Sequence, residues 1–233
     1  MANLLRRILR TELAWKLSGI SYPSAVIATH GLLESPREYL SSCGRQMSFL
    51  RPLLEPSAEV MEFGCGLGGN LIAISPLIRT GTGLDINELY LRQARRLAGK
   101  AGCANLSFIR PHARRDERDR DTFDLIFSIG VFERIPKSTV APLLAGLSTR
   151  LRPGGALCIY FLTVRARRTS FTRILGEDAY VYWDRSEVLT LLDRIGCVPV
   201  EFILWGKGGR VDLEANSTAD LVIARRPAFD GHK

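Results

Sequence analysis

The chain has 233 residues, of which 46% are hydrophobic and 24% charged, and its formal net charge is +8 at pH 7. This length suits one α/β domain with small additions, and the composition excludes a disordered or fibrous protein. Its apolar stretches are shorter than the ~20 residues of a membrane span, its N-terminus lacks the apolar run of a secretory signal, and its cysteines form no C-x-x-C pair. We therefore expect a cytoplasmic protein with reduced thiols and no metal site.

Two helical segments precede the first predicted strand. Leucine and isoleucine recur at helical spacing over residues 3–18, with arginines between them, which is typical of an amphipathic helix. A second helical pattern follows Ser35, with Pro36 in its first turn, and runs to Leu54. We expect both helices to cover apolar surface of the domain that follows.

Strands and helices then alternate along the chain. Strands are predicted at residues 59–63, 81–85, 106–109, 123–128, 156–161, 198–205 and 221–224. Helices are predicted at residues 71–78, 88–102, 140–151 and, capped by Ser186, up to residue 195. This alternation predicts a doubly wound α/β fold with a mostly parallel seven-stranded sheet, and the last two strands predict a C-terminal antiparallel hairpin.

A glycine-rich turn directly follows the first predicted strand. It reads Glu62-Phe63-Gly64-Cys65-Gly66-Leu67-Gly68-Gly69. Asp85 ends the next strand, at about the 20-residue separation found in nucleotide-binding sites. The glycines allow a tight turn and the close approach of a ligand, and the acidic side chain can accept hydrogen bonds from both ribose hydroxyls. The spacing predicts a site for a nucleotide-containing cofactor.

Two cofactor classes fit the glycines. Gly64, Gly66 and Gly69 satisfy the dinucleotide fingerprint, so a nicotinamide-dependent oxidoreductase is one alternative. Glu62 argues against it, because a carboxylate before the first glycine would repel a pyrophosphate at the helix N-terminus. S-adenosylmethionine suits both acids better, since it has a ribose for Asp85 and a cationic amino group for Glu62.

Four stretches together resemble the class I S-adenosylmethionine-dependent methyltransferase family. They are VMEFGCG at 60–66, GLDI at 83–86, FDLIFSIGVFERIP at 123–136 and LRPGG at 151–155. The resemblance covers about residues 40–224 and implies a Rossmann-like fold. We expect an N-terminal helical lid and acceptor-pocket region at residues 1–54, a cofactor-binding methyltransferase domain at 55–226 and a flexible tail at 227–233. The LRPGG stretch is expected to be a turn before the fifth strand.

The resemblance also implies cofactor contacts. The residues are Glu62, Gly64, Cys65, Gly66, Asp85, Ile86, His112, Ala113 and Ser128. The glycine-rich turn would lie against the methionine portion, Asp85 would bind the ribose, and Ile86 would cover one face of the adenine. Ser128 would lie near the reacting centre. His112 stands where the family often has an acidic residue near the adenine amino group.

Methyl transfer from a sulfonium is an in-line displacement, and a general base assists it when the acceptor is a hydroxyl or an ammonium. The candidate catalytic residues are Glu133, just after the fourth strand, and His30 in the N-terminal region, and His112 after the third strand is also considered as a base. Arg134 follows Glu133 where many small-molecule methyltransferases have a histidine. Each candidate has a structural interpretation, His30 as a hydrogen-bonded surface residue and Glu133 as a partner of Arg134 or a helix cap.

The acceptor is predicted to be a small molecule, such as an anionic, aromatic or natural-product compound, methylated on an O, N or C atom. Aromatic residues 171, 180, 182 and 183 lie beside arginines of 165–173 and could form a basic mouth, although ordinary packing would explain them equally well. RNA or protein is the alternative acceptor, because the net charge suits an anionic polymer. Enzymes that methylate amino groups of bases typically carry an Asn/Asp-Pro-Pro-aromatic motif after the fourth strand. This chain has Ser128-Ile129-Gly130-Val131 there, which argues against a nucleic-acid acceptor. A non-catalytic cofactor-binding module is the last alternative.

Overall fold

The computed structural model describes residues 35–111, 122–162, 181–206, 209–210 and 219–228, together with Ser21. Its strands are β1 Glu59–Phe63, β2 Thr80–Leu84, β3 Leu106–Ile109, β4 Phe123–Ser128, β5 Leu151–Leu162, β6 Val198–Gly206, β7 Gly209–Arg210 and β8 Ala219–Arg225. They form one sheet in the order β3-β2-β1-β4-β5-β8-β6-β7. Neighbours among β1 to β5 are parallel, whereas β8 runs antiparallel to both β5 and β6.

This topology confirms the doubly wound α/β prediction. The chain moves outward from β1 to β3 on one side and then resumes at β4 on the other side of β1. The predicted C-terminal antiparallel pair is β6 and β8, and β8 lies between β5 and β6. The two-residue strand β7 adds an eighth strand beside the end of β6. Residues 1–34 of the predicted lid, apart from Ser21, lie outside the described residues.

Helices cover both faces of the sheet. They are α1 Pro36–Gln46, α2 Gly69–Ile74, α3 Glu88–Lys100, α4 Lys137–Ser148 and α5 Arg185–Arg194, with short 3₁₀ helices at Met47–Leu53, Ser75–Leu77 and Phe132–Arg134. The helix predicted to follow Ser35 begins there, and Ser35 and Glu38 form a reciprocal capping box. The predicted cap at Ser186 is wrong: Asp184 caps α5, and its backbone N–H donates to Glu187 at 2.9 Å.

Two hydrophobic clusters lie on opposite faces of the sheet. Successive strand side chains point to opposite faces, so Val60 belongs to one cluster and Met61 to the other. The first cluster contains buried residues of α1, α2 and α3, including Tyr39 and Cys43 from the predicted lid region. The second contains buried residues of α4 and α5. In the part of the chain that the structure describes, no helix is long and apolar enough to cross a bilayer.

The LRPGG stretch differs from its prediction. It was expected to be a turn before the fifth strand, but β5 already begins at Leu151. The pairing with β4 jumps from Phe123–Leu151 to Leu125–Ala156, so residues between Leu151 and Ala156 form a bulge within the strand. Arg152 in this bulge binds Glu59 of β1 and Asp124 of β4. The bulge therefore ties three strands together at their amino ends, away from the glycine-rich turn.

Candidate functional site

The glycine-rich turn joins β1 to α2 at the carboxyl ends of the central strands. Gly64, Gly66 and Gly68 have φ angles of 76°, 52° and 72°, in the region that favours glycine. The backbone N–H groups of Gly64 and Cys65 both donate to the carbonyl of Leu84, at 2.7 and 2.9 Å. The turn is thus fastened to the end of β2.

Close packing also restricts this turn. A Cβ added at Gly64 would lie 2.2 Å from Val131 Cγ2, in the loop after β4. A Cβ added at Gly68 would lie 2.4 Å from Phe108 Cε1, in β3. These separations leave no room for a side chain. The turn therefore borders the crevice between β1 and β4, the place where the strand order reverses and where ligands bind in open α/β sheets.

Asp85 follows β2 and is almost completely buried. Its Oδ2 accepts from the Gly66 N–H at 2.9 Å, and its Oδ1 accepts from the Asn87 N–H at 2.8 Å. Burial raises the pKa of Asp85, although backbone donors at Asn87, Gly66 and Ile86 oppose the increase. The next residue, Ile86, is 59% exposed. A carboxylate beside an exposed aliphatic side chain is chemically suited to a ribose and the flat base attached to it.

Glu62 lies in β1, immediately before the turn, with only 1% of its surface exposed. Oε1 accepts from Asn70 Nδ2 at 2.7 Å, whereas Oε2 has no hydrogen-bond partner among the described residues. Burial raises the pKa of Glu62 to about 8, and the nearby acid Asp85 adds to the increase, while Asn70 and the backbone N–H of Leu71 oppose it. A buried oxygen without a donor is unfavourable, so the site suits a ligand that brings a donor, above all a cationic one.

Two residues that support the site were not predicted from the sequence. Asn70 directly follows the glycine-rich turn and holds Glu62. Tyr39 of α1 accepts from the N–H of Gly69 at 3.2 Å, and its ring occupies the space where a Gly69 side chain would be. Burial raises the pKa of Tyr39 well above its usual value, so its hydroxyl stays protonated. Asn70 could have been found from its position, but no local pattern links Tyr39 to the turn.

Ser128 ends β4 and is fully buried. Its hydroxyl donates to the carbonyl of Phe63 at 2.8 Å. This hydrogen bond joins the carboxyl ends of β4 and β1. The side chain therefore has a clear structural role, and its contact with a cofactor stays a prediction.

Glu133 lies in the 3₁₀ helix after β4 and is 7% exposed. Its Oε2 has no hydrogen-bond partner in the described part of the chain. Burial raises the pKa of Glu133 to about 7, opposed by its own backbone N–H and by the charge of Arg134. The carbonyl of Glu133 accepts from the N–H of Val181 at 2.7 Å, which fastens the returning chain to this loop.

Other predicted site residues have different outcomes. His30, His112 and Ala113 lie outside the described residues, as do Phe171 and Tyr180 of the predicted aromatic mouth. Trp183 is described and is 4% exposed. Its ring packs edge-on against Phe161, with centroids 5.3 Å apart, and Lys137 Nζ lies 4.9 Å from the ring centroid. Trp183 therefore packs as a core residue, in line with the structural interpretation of these aromatics.

Comparisons with known proteins agree with this geometry. Residues 60–155 match a family model described as a methyltransferase domain. No curated protein matches the chain.

Several solved structures share the fold at low sequence identity. The CcbJ methyltransferase from Streptomyces caelestis has a TM-score of 0.68 and 14% identity, over 90% of this chain and 99% of that one. The magnesium protoporphyrin IX methyltransferase from Synechocystis PCC 6803, with bound S-adenosylhomocysteine, has a TM-score of 0.61 and 13% identity, over 97% and 100%. The mitomycin 7-O-methyltransferase has a TM-score of 0.61 and 18% identity, over 80% and 53%. Residues 60–155 thus match a methyltransferase domain, and the chain around them has the fold that these methyltransferases share.

Proposed function

We propose that this protein methylates a small-molecule acceptor, and that Glu62 and Asp85 hold the two ends of its cofactor. The observation that carries the proposal is the pair of buried carboxyl groups at one glycine-rich turn. When bound, S-adenosylmethionine supplies a methyl group on a positively charged sulfur. The cationic amino group of its methionine portion would donate to Glu62 Oε2, which has no described partner.

Asp85 would bind the ribose hydroxyls. Each oxygen of Asp85 accepts at least one backbone N–H, and a carboxylate offers about four acceptor positions in all. Ile86 would lie against the adenine, because its exposed side chain directly follows Asp85. Cys65 would contact the cofactor between Gly64 and Gly66. Further contacts from His112, Ala113 and Ser128 are proposed on the family resemblance.

The acid before the turn also distinguishes two cofactor classes. A nicotinamide dinucleotide would bring its pyrophosphate close to Glu62 and the start of α2. A buried carboxyl with an unpartnered oxygen cannot donate to that anion once it is ionised. Glu62 therefore favours S-adenosylmethionine over a dinucleotide.

The proposal of a small-molecule acceptor is supported by methyltransferases that share this fold. Two of them are described as methyltransferases of mitomycin and of magnesium protoporphyrin IX, which are small molecules. We propose that residues 1–34 and 163–180 complete the acceptor pocket, and that His30 contributes to catalysis from the first of these segments. Together with residues 35–54 the first segment would form the proposed lid region.

Calorimetric titration tests the cofactor proposal directly. Protein freed of copurified ligand should bind S-adenosylmethionine and S-adenosylhomocysteine, and should not bind NAD. Binding of NAD alone would contradict the assignment of Glu62.

A second experiment tests the acceptor. Labelled methyl groups should be transferred to members of a small-molecule panel, and not to total RNA or to bulk protein. Transfer to RNA, with retention that weakens steeply as salt is added, would replace the small-molecule proposal.

A further inference from the structure

Glu133 lies in the short 3₁₀ helix that follows β4, close in sequence to the loop that contacts the glycine-rich turn. The loop between β4 and the 3₁₀ helix contacts the glycine-rich turn through Val131, whose Cγ2 occupies the space beside Gly64. Glu133 turns back toward the start of this loop, since a Cβ added at Gly130 would lie 3.7 Å from its Oε1. Glu133 is thus close to the carboxyl end of β4, next to the loop that contacts the glycine-rich turn.

The chemistry around Glu133 leaves one oxygen for a ligand. Oε2 is buried and has no hydrogen-bond partner among the described residues. Among the described residues, the charge of Arg134 lowers the pKa of Glu133, and the next cation along the chain, Lys137, is bound to Glu187 at 2.6 Å. A buried carboxyl oxygen without a hydrogen-bond donor is stabilised by taking up a proton or by accepting a hydrogen bond from a ligand.

We propose that Glu133 accepts the proton of the methyl acceptor, and that the acceptor therefore presents an ammonium or a hydroxyl, and not a carboxylate, at the atom to be methylated. This inference rests on the proposed function. It extends that function because it narrows the acceptor class through a group on this chain. A carboxylate acceptor has no proton to give and would be repelled by an ionised Glu133.

The proposed step balances in atoms and charge. The acceptor proton passes to Glu133 Oε2 before or during attack, which leaves a lone pair on the acceptor atom. That lone pair forms the bond to the methyl carbon while the carbon–sulfur bond breaks, and the electrons of the broken bond remain on sulfur as a thioether. Glu133 is neutral after the step and returns its proton to solvent. A general base of this kind typically contributes on the order of 10² to 10⁴ in rate.

The ionisation of Glu133 suits this role near neutral pH. Burial raises its pKa to about 7, so both protonation states are populated under ordinary conditions. A base whose pKa lies close to the working pH combines a useful ionised fraction with a strong tendency to bind a proton.

The test measures binding and does not require a natural acceptor. Benzylamine and benzoate share one ring and carry opposite charges. Each is titrated into the protein saturated with S-adenosylhomocysteine, at several pH values on either side of 7. The variants are Glu133→Gln, which removes the charge at nearly constant shape, and Glu55→Gln, which makes the same change at an exposed position.

We expect wild type and Glu55→Gln to bind benzylamine at least about tenfold more tightly than benzoate above neutral pH. The preference should decline as the pH is lowered through 7, because Glu133 becomes neutral while both probes keep their charges. Glu133→Gln should show no preference and unchanged affinity for S-adenosylhomocysteine. The pH series on wild type keeps the test decisive even when the variant folds poorly.

Three other results would overturn the inference: equal binding of the two probes, no measurable binding of either, or a preference that survives in Glu133→Gln. These results leave the cofactor proposal intact as long as S-adenosylhomocysteine binds. Failure of S-adenosylhomocysteine to bind wild type would overturn the proposed function itself, together with the inference that rests on it.

Discussion

Asp85 and Gly66 are joined by a hydrogen bond of 2.9 Å between the carboxylate Oδ2 and the backbone N–H. The other oxygen, Oδ1, accepts from the N–H of Asn87, whose own side chain caps α3. One buried carboxylate therefore fixes the glycine-rich turn and the start of α3 at the same time. The residue proposed to bind the ribose also supports the shape of its own site.

Asp85→Asn should affect both stability and binding. The amide nitrogen cannot accept, so a buried backbone N–H at Gly66 or Asn87 would lose its partner. We expect the free energy of unfolding to fall by about 1 to 3 kcal/mol. Affinity should weaken both for S-adenosylhomocysteine and for 5′-methylthioadenosine, which keeps the ribose and lacks the amino acid portion. Denaturant unfolding and calorimetry measure the two effects, with the exposed Asp193→Asn as the matched control.

Glu62→Gln should separate the two ends of the cofactor. Loss of a charged hydrogen bond to the amino group should weaken S-adenosylhomocysteine binding by about 10- to 150-fold. Binding of 5′-methylthioadenosine should change little, since that ligand has no amino acid portion to meet Glu62. Equal losses for both ligands in calorimetry would place Glu62 elsewhere than at the methionine end.

Glu62 also predicts how cofactor affinity depends on pH. Its pKa of about 8 in the free protein means that it is mostly neutral at pH 7, whereas a bound ammonium favours the ionised form. Binding at pH 7 should therefore release a proton, and affinity should increase as the pH rises toward 8. Calorimetry in buffers of different ionisation enthalpy measures the proton release. In Glu62→Gln the release should be reduced by up to one proton per site.

The same acids predict the pH dependence of stability without ligand. Burial raises the pKa of Glu62 to about 8 and that of Glu133 to about 7, from an ordinary value of 4.5. The folded chain thus binds more protons than the unfolded chain between about pH 4.5 and 8, so stability falls as the pH rises through that window. Glu62→Gln should flatten this decline and should be more stable than wild type near pH 8. A steeper decline in the variant would show that the raised pKa has been misassigned.

Gly64→Ala should disrupt the turn through a single methyl group. Its Cβ would meet Val131 Cγ2 at 2.2 Å, and the φ of 76° is one that other residues rarely adopt. We expect a loss of about 1 to 3 kcal/mol in unfolding free energy and weaker cofactor binding. Adding Val131→Ala should restore only part of the loss, because the backbone strain remains. Gly146→Ala in α4, where no atom lies within 4 Å of the new Cβ, should instead stabilise the helix by about 0.5 to 1 kcal/mol.

The central strands and the glycine-rich turn could be predicted because their signals are local. A buried strand such as β1 is a short apolar run, and Asp85 lies at a fixed distance beyond the first glycine. Tyr39 could not be linked to Gly69, because 30 residues separate the hydrogen-bonded pair and only tertiary packing brings them together. The two-residue strand β7 has no periodicity to detect.

Helix caps and bulges were harder to predict from the sequence, because they too depend on contacts with distant residues. Asp184 and Ser186 are both good capping residues. The helix begins after Asp184, three residues beyond Val181, whose N–H is bound to Glu133, and this tertiary contact has no local signal in the sequence. The bulge before Ala156 has the Pro-Gly-Gly composition of a turn. The bulge remains part of β5 because Gly155 has no side chain. A Cβ at Gly155 would lie only 2.9 Å from the Arg152 carbonyl oxygen and 3.1 Å from the Phe123 carbonyl oxygen.

The position of β8 between β5 and β6 sets an order of events during synthesis. β6 leaves the ribosome before β8, yet its long pairing partner in the described sheet is β8. Strands β1 to β5, which carry the glycine-rich turn and Asp85, need no later strand to pair with one another. We expect a ribosome-bound chain that stops before residue 219 to protect the amides of β1 and β4 from hydrogen exchange while those of β6 exchange freely. The parallel part of the sheet, which carries the proposed cofactor site, would thus form before β8 is available to join β6 to β5.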